Sequence, residues 1–146
     1  MNVRLTTITL GVADLPRARA FYEQGLGLVP SGASCDQIAF YHCGPAVLAL
    51  YPRQALAEDA EVPASALGDP ALFDGVTLAC NCAGRAEVDA LLARAVAAGA
   101  RLAKPAQEAF WGGYSGYFED LDGHLWEAVH APQFSLDERG GLVLPK

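Results

Sequence analysis

Basic residues are scarce in this chain. Ten Lys and Arg stand against 17 Asp and Glu, for a formal net charge of -7. Nucleic acid and anionic membrane both require clustered cations, so neither is an expected partner. No run of 18 apolar residues occurs, so no membrane-spanning helix is expected. The first residues, Met1 to Thr7, lack the apolar stretch of a secretory signal, and the cytoplasm is the expected location. Cys-x-x-Cys pairs are also missing. The four cysteines, Cys35, Cys43, Cys80 and Cys82, are expected to be reduced thiols. On one strand Cys80 and Cys82 would point the same way, which is poor geometry for a disulfide. There is no Ser-His-Asp pattern and no phosphate-binding glycine loop, because Gly112, Gly113 and Gly116 lie in aromatic, strand-like sequence.

Apolar residues are plentiful. At 52% hydrophobic over 146 residues, the chain can bury the core of one domain or of two small fused modules. The layout favours a unit written twice. Leu5 to Val12 alternates as a strand, Asp14 is a good helix N-cap, and Pro16 falls in the first turn. That helix runs through Ala18, Phe21 and Tyr22 and stops at Gly25 or Gly27. Short strands follow near Leu28-Val29, Gln37 to Tyr41 and Val47 to Tyr51. Residues 53–74 carry Pro63, Gly68 and Pro70 and read as a linker or flap. The pattern then repeats. Gly75 to Asn81 is a strand and Arg85 to Ala98 a helix, with Val88, Leu91, Leu92 and Val96 on one face. A short strand, Ala100 to Leu102, precedes a hairpin from Phe110 to Glu127. Its turn signal is Asp122-Gly123.

Each piece reads strand, helix, then three strands. The opening Thr9-Leu-Gly-Val-Ala-Asp-Leu15 with Ala20-Phe-Tyr22, and the closing hairpin ending on Glu127, resemble the vicinal oxygen chelate superfamily. That superfamily includes glyoxalase I, extradiol dioxygenases and bleomycin-resistance proteins. The resemblance implies an α+β fold of two βαβββ modules, here 3–52 and 75–132, in a single domain. Residues 133–146 would form a C-terminal tail. It also implies a cavity lined by the sheet faces away from the helices, and a homodimer. Strand parity then puts Ile8, Leu10 and Val12 under the first helix, and Val76, Leu78 and Cys80 under the second.

Metal-dependent relatives hold their ion with His, Gln and Glu side chains. The resemblance carries those positions onto Thr7, Ala49, Gly75 and Glu127. Only Glu127 is a strong donor, and one carboxylate does not hold a transition metal. No metal and no other cofactor is expected. His124 and His130 would point away from Glu127 on a strand. The spacing Asp120-x-Asp122-Gly123 suggests a turn rather than a calcium loop.

A polar, aromatic cavity remains. Its expected lining is Thr7, Thr9, Gln37, Tyr41, Tyr51, Thr77, Trp111, Tyr114 and Glu127, with Phe110 and Tyr117 nearby. Aromatic walls over one carboxylate suit a flat or cationic small organic molecule. The leading expectation is metal-independent binding of such a molecule, as in the antibiotic-binding branch. The alternative is a glyoxalase-like lyase, isomerase or dioxygenase. In a catalytic protein Glu127 would be the general base, helped by Tyr41 or Tyr51.

Overall fold

The computed structural model describes residues 3–63, 68–69 and 72–145. The chain forms two compact units, Met1–Leu72 and Phe73–Lys146. The boundary falls within the expected linker. Part of that linker is ordered as a short helix, and residues 64–67 and 70–71 lie outside the described set.

In the first unit, β1 (Thr7–Val12) leads into α1 (Leu15–Ala20), which continues as a π-helical turn, Phe21–Gly25. Local chemistry explains both ends. The Asp14 side chain accepts the Arg17 N–H at 2.9 Å, and Pro16 occupies a position where no N–H is needed. At the far end the Leu26 N–H bonds back to the Phe21 carbonyl at 2.9 Å, and Gly27 turns the chain with φ 78°. Then come β2 (Ala39–Cys43), β3 (Ala46–Pro52) and α2 (Arg53–Asp59). The sheet order is β1-β3-β2, with β1 and β3 parallel and β2 antiparallel to β3. The strand expected at Leu28-Val29 is reduced to an isolated bridge, Pro30 to Tyr41.

The core of this unit lies between the sheet and α1. Leu10, Val12, Leu15, Ala18, Phe21, Tyr22, Leu48 and Leu50 are all buried there. The rings of Phe21 and Tyr22 meet edge to face at 5.0 Å. This matches the parity expected for β1 and β3.

The second unit is built alike. β4 (Thr77–Asn81) is followed by α3 (Arg85–Ala97), β5 (Arg101–Glu108), β6 (Tyr114–Glu119) and β7 (Leu125–His130). The sheet order is β4-β7-β6-β5, with only β4 and β7 parallel. Glu87 starts α3 by accepting the Ala83 N–H at 2.8 Å. Gly99 ends it at φ 107°. Val88, Leu92 and Ala95 are its buried face, while Val96 is exposed at 45%. Phe118 and Trp126 stack beneath the helix at 6.2 Å, and Gly116 and Ala128, a cross-strand pair, let Leu92 approach.

Three details depart from the sequence expectation. β5 extends to Glu108, where a three-residue strand was expected, and carries two register shifts against β6. The β6–β7 turn is organised by Asp120, which is buried and accepts the N–H groups of Asp122 and His124 at 2.9 and 2.8 Å. On β4 the row expected under the helix is only thinly covered, since Val76 and Cys80 are exposed. The tail forms its own small hairpin, β8 (Ser135–Leu136) with β9 (Leu142–Val143), closed by Asp137.

Candidate functional site

The two units repeat in register as well as in layout. Thr7 stands seven residues before Asp14, the N-cap of α1. Thr77 stands seven residues before Gly84, the N-cap of α3. In the first sheet Thr9 pairs with Ala49, and in the second Ala79 pairs with Glu127. Thr7 and Thr77 are therefore equivalent, and so are Ala49 and Glu127. This moves one expected position. Gly75 precedes β4 in a bend with φ 85°, so the strand residue at the corresponding place is Thr77.

In the first unit, pairing puts Thr7, Thr9 and Gly11 on one face with Val47, Ala49 and Tyr51. This is the face away from α1. Helix α2 closes one end of it. A side chain at Gly11 would meet the Arg53 Cα, Cβ and Cγ at 3.2–3.3 Å, so glycine permits that close approach. Thr7 and Thr9 are exposed, Tyr51 is half-buried and Ala49 is fully buried.

Tyr41 belongs to the opposite face. It pairs with Leu48, is fully buried, and donates its hydroxyl to the Glu23 carboxylate at 2.9 Å. Glu23 also holds Arg19 at 2.7 Å. Burial first, then the Glu23 hydrogen bond and charge, push the Tyr41 hydroxyl well above its ordinary pKa. Sequence alone gave β2 no pairing partner, and Tyr41 was expected in the cavity. The strand lies at 39–43 and pairs so that Tyr41 faces the helix. Gln37 lies before β2 in an exposed bend.

In the second unit the face away from α3 carries Thr77 and Ala79 of β4, Leu125 and Glu127 of β7, and Ser115, Tyr117 and Glu119 of β6. Glu127 is half-buried, and Tyr117 is its cross-strand partner. Burial first, then the neighbouring Glu127 carboxylate, raises the Tyr117 hydroxyl pKa. Lys104 of β5 holds its ammonium 5.9 Å from the centre of the Tyr117 ring. Arg101 grips Glu119 through two contacts, at 2.6 and 3.0 Å. Glu127 therefore shares its face with other charges. Within its own sheet, the tyrosine paired with Glu127 is Tyr117. Cross-strand pairing was the missing signal, and it depended on the true length and length-matching of the hairpin.

Tyr114 turns the other way. Its hydroxyl donates to Asp89 of α3 at 2.7 Å, and the Arg85 guanidinium covers its ring at 5.2 Å. It helps line an open groove of about 520 Å³ between α3 and β5, with Leu92, Val96, Leu102 and Pro105. That groove is on the side opposite Glu127. Its lining is mainly apolar and its tyrosine hydroxyl is already engaged, so the Glu127 face remains the chemical candidate. Trp111 sits in the β5–β6 loop, 40% exposed, with its ring over the Gly113 Cα. Phe110 beside it is fully exposed.

The donor set does not suit the metal of the metal-dependent relatives. Thr7, Ala49 and Thr77 offer no strong ligand, and Glu127 alone does not complete a site. Among the described residues, no three His, Cys, Asp or Glu side chains converge to hold an ion. His130 has the expected parity: it pairs with Tyr114 on the α3 side, and its Nδ1 lies 3.2 Å from the Cys82 carbonyl oxygen.

Two repeated units, βαββ with an isolated bridge and βαβββ, each with parallel first and last strands, define an α+β protein of the vicinal oxygen chelate type. Residues 4–128 match the Glyoxalase/Bleomycin resistance protein/Dioxygenase superfamily model, and the chain belongs to that superfamily. A glyoxalase-related enzyme from Fulvimarina pelagi is 34% identical, with a TM-score of 0.87 over 98% of this chain and 99% of that one. A glyoxalase/bleomycin resistance protein/dioxygenase from Nocardioides is 25% identical, with a TM-score of 0.72 over 89% and 84%. Lactoylglutathione lyase from Agrobacterium tumefaciens shares the fold at 23% identity, TM-score 0.67, over 94% and 100%. No functionally curated protein matches the sequence. Among the described residues, no helix is long and apolar enough to cross a membrane.

Proposed function

We propose that this protein binds a small organic molecule without a metal ion, on the sheet face that carries Glu127. One observation carries the reading. Of the four positions that supply ligands in metal-dependent relatives, three hold Thr7, Ala49 and Thr77, and only Glu127 bears a carboxylate. Tyr117 stands across the strands from that carboxylate, with the Lys104 ammonium over its ring. A fixed carboxylate beside an aromatic ring can orient a polar or cationic group on an otherwise apolar ligand. A homodimer formed in the manner of the superfamily belongs to this reading, since β1 and β5 end their sheets as edge strands.

A second reading is favoured by the glyoxalase-related description of the Fulvimarina relative. There the protein is a lyase, isomerase or dioxygenase, and Glu127 is its base or sole family ligand. Metal loading separates the two. Tag-free protein is incubated with Ni, Zn, Mn or Fe, passed through gel filtration and assayed for metal content. The first reading expects far less than one ion per chain. Retention of one ion per chain would overturn it.

A further inference from the structure

The first register shift in β5 decides which way a cation points. Leu102 pairs with Phe118, on the side of the sheet that α3 covers. On a regular strand Lys104, two residues further, would return to that side. One extra residue intervenes instead, and Lys104 pairs with Tyr117, the immediate neighbour of Phe118. Such an insertion re-aims the side chains beyond it, and here it turns Lys104 onto the Glu127 face, over the Tyr117 ring. We propose that Lys104, Tyr117 and Glu127 recognise a zwitterionic aromatic molecule, with its anionic group at Lys104, its ring at Tyr117 and its cationic group at Glu127, a specificity that rests on the Glu127 face being the ligand site.

Pairing lays the three residues in one row. Lys104 is opposite Tyr117 across β5 and β6, Tyr117 is opposite Glu127 across β6 and β7, and Ala79 of β4 continues the row. Neighbouring strands are roughly 4.8 Å apart, so the Lys104 and Glu127 backbones stand about 9–10 Å from each other, with Tyr117 between them. Among the described residues neither Lys104 nor Glu127 makes an ion pair. Two opposite charges separated by one aromatic ring match a flat molecule that carries the reverse charges at its two ends. Ala79 is exposed and small, so it leaves space beside the carboxylate.

The rows on either side leave these two charges as the available ones. In one, Arg101 grips Glu119 through two contacts, so that pair satisfies itself. The other runs through Gln107, Ser115 and Val129 and carries no charge.

The same row selects against simpler ligands. A purely cationic molecule on the Tyr117 ring meets repulsion from Lys104, and a purely anionic one meets repulsion from Glu127. The two ends are unequal in strength. Lys104 is exposed, so its contact is weakened by water and salt, whereas Glu127 is half-buried and its contact weighs more.

Three small probes test the specificity on the full chain, followed by the amide NMR shifts of Ala79, Tyr117 and Glu127. The zwitterion is 4-(aminomethyl)phenylacetate. Its halves are 4-methylbenzylamine, which carries only the cation, and 4-methylphenylacetate, which carries only the anion. Wild type should bind the zwitterion roughly three- to fivefold tighter than the amine and roughly tenfold tighter than the acid. Lys104→Gln should remove the advantage over the amine without weakening the amine itself, and Lys104→Arg should keep it. Glu127→Gln should remove the advantage over the acid. High salt should shrink the Lys104 effect more than the Glu127 effect. Equal zwitterion affinity in wild type and Lys104→Gln would overturn the proposal, as would a zwitterion bound no tighter than the amine. If the amine still shifts the Glu127 amide in that case, the Glu127 face stands as the ligand site and only the specificity falls. If these probes and every thermal-shift hit shift amides only elsewhere, the site and the specificity fall together.

Discussion

Gly116→Ala is the sharpest structural test of the second unit. Gly116 is a buried residue of β6, and its backbone is not in the left-handed region, so alanine carries no conformational penalty there. Alanine would even be the better strand former. The obstacle is space. A Cβ at this position would lie 2.6 Å from the Leu92 Cδ1, 2.9 Å from the Ala106 nitrogen and 2.9 Å from the Lys104 carbonyl oxygen. Leu92 can rotate. The other two atoms are backbone, in the irregular stretch of β5 where register slips against β6, and they cannot yield without opening that pairing. Overpacking of this kind costs about 1–3 kcal/mol. Urea unfolding followed by tryptophan emission is suited to the measurement, because both tryptophans, Trp111 and Trp126, belong to the second unit. The variant should unfold at lower urea with an unchanged slope. Adding Leu92→Ala should relieve only part of the loss attributable to the clash, since the backbone contacts persist. A midpoint equal to wild type would refute the argument, because it would mean that β5 does not press on β6 at this point.

Tyr41→Phe should destabilise the protein by about 1–2 kcal/mol at pH 7 by removing a buried hydrogen bond to a carboxylate. Because the folded state raises the Tyr41 pKa above 10, its stabilisation is complete below pH 10 and is lost as pH rises beyond that. The stability gap between wild type and Tyr41→Phe should therefore narrow from pH 8 to pH 11, and a constant gap would contradict the assignment. For ligands found by thermal shift, Trp111→Ala should weaken binding by about 1–3 kcal/mol. Glu127→Gln should weaken cationic ligands and spare neutral ones, while equal shifts in all three proteins would place the ligand elsewhere. Light scattering at micromolar concentration should report about twice the 15.3 kDa chain mass, and a clean monomer would refute the proposed dimer.

Local signals carried much of the architecture. Asp14, Pro16 and Gly27 bound the first helix through caps and φ preferences that act within a few residues. Alternation set the inward and outward rows of β1, β3 and β7, because the pleat has a period of two. Together these made the repeated unit readable, and with it the family resemblance from which Glu127 was expected at a ligand position. What the sequence could not decide was everything that depends on where a strand begins and which residue faces it. The pairing of β2 with β3 sets Tyr41 opposite Leu48, on the helix side, and onto Glu23. The start of β4 at Thr77 replaces Gly75 as the equivalent of Thr7. Pairing of β6 with β7 brings Tyr117 opposite Glu127. Periodicity is a property of one segment, whereas register is a relation between two segments, and only the folded sheet contains it.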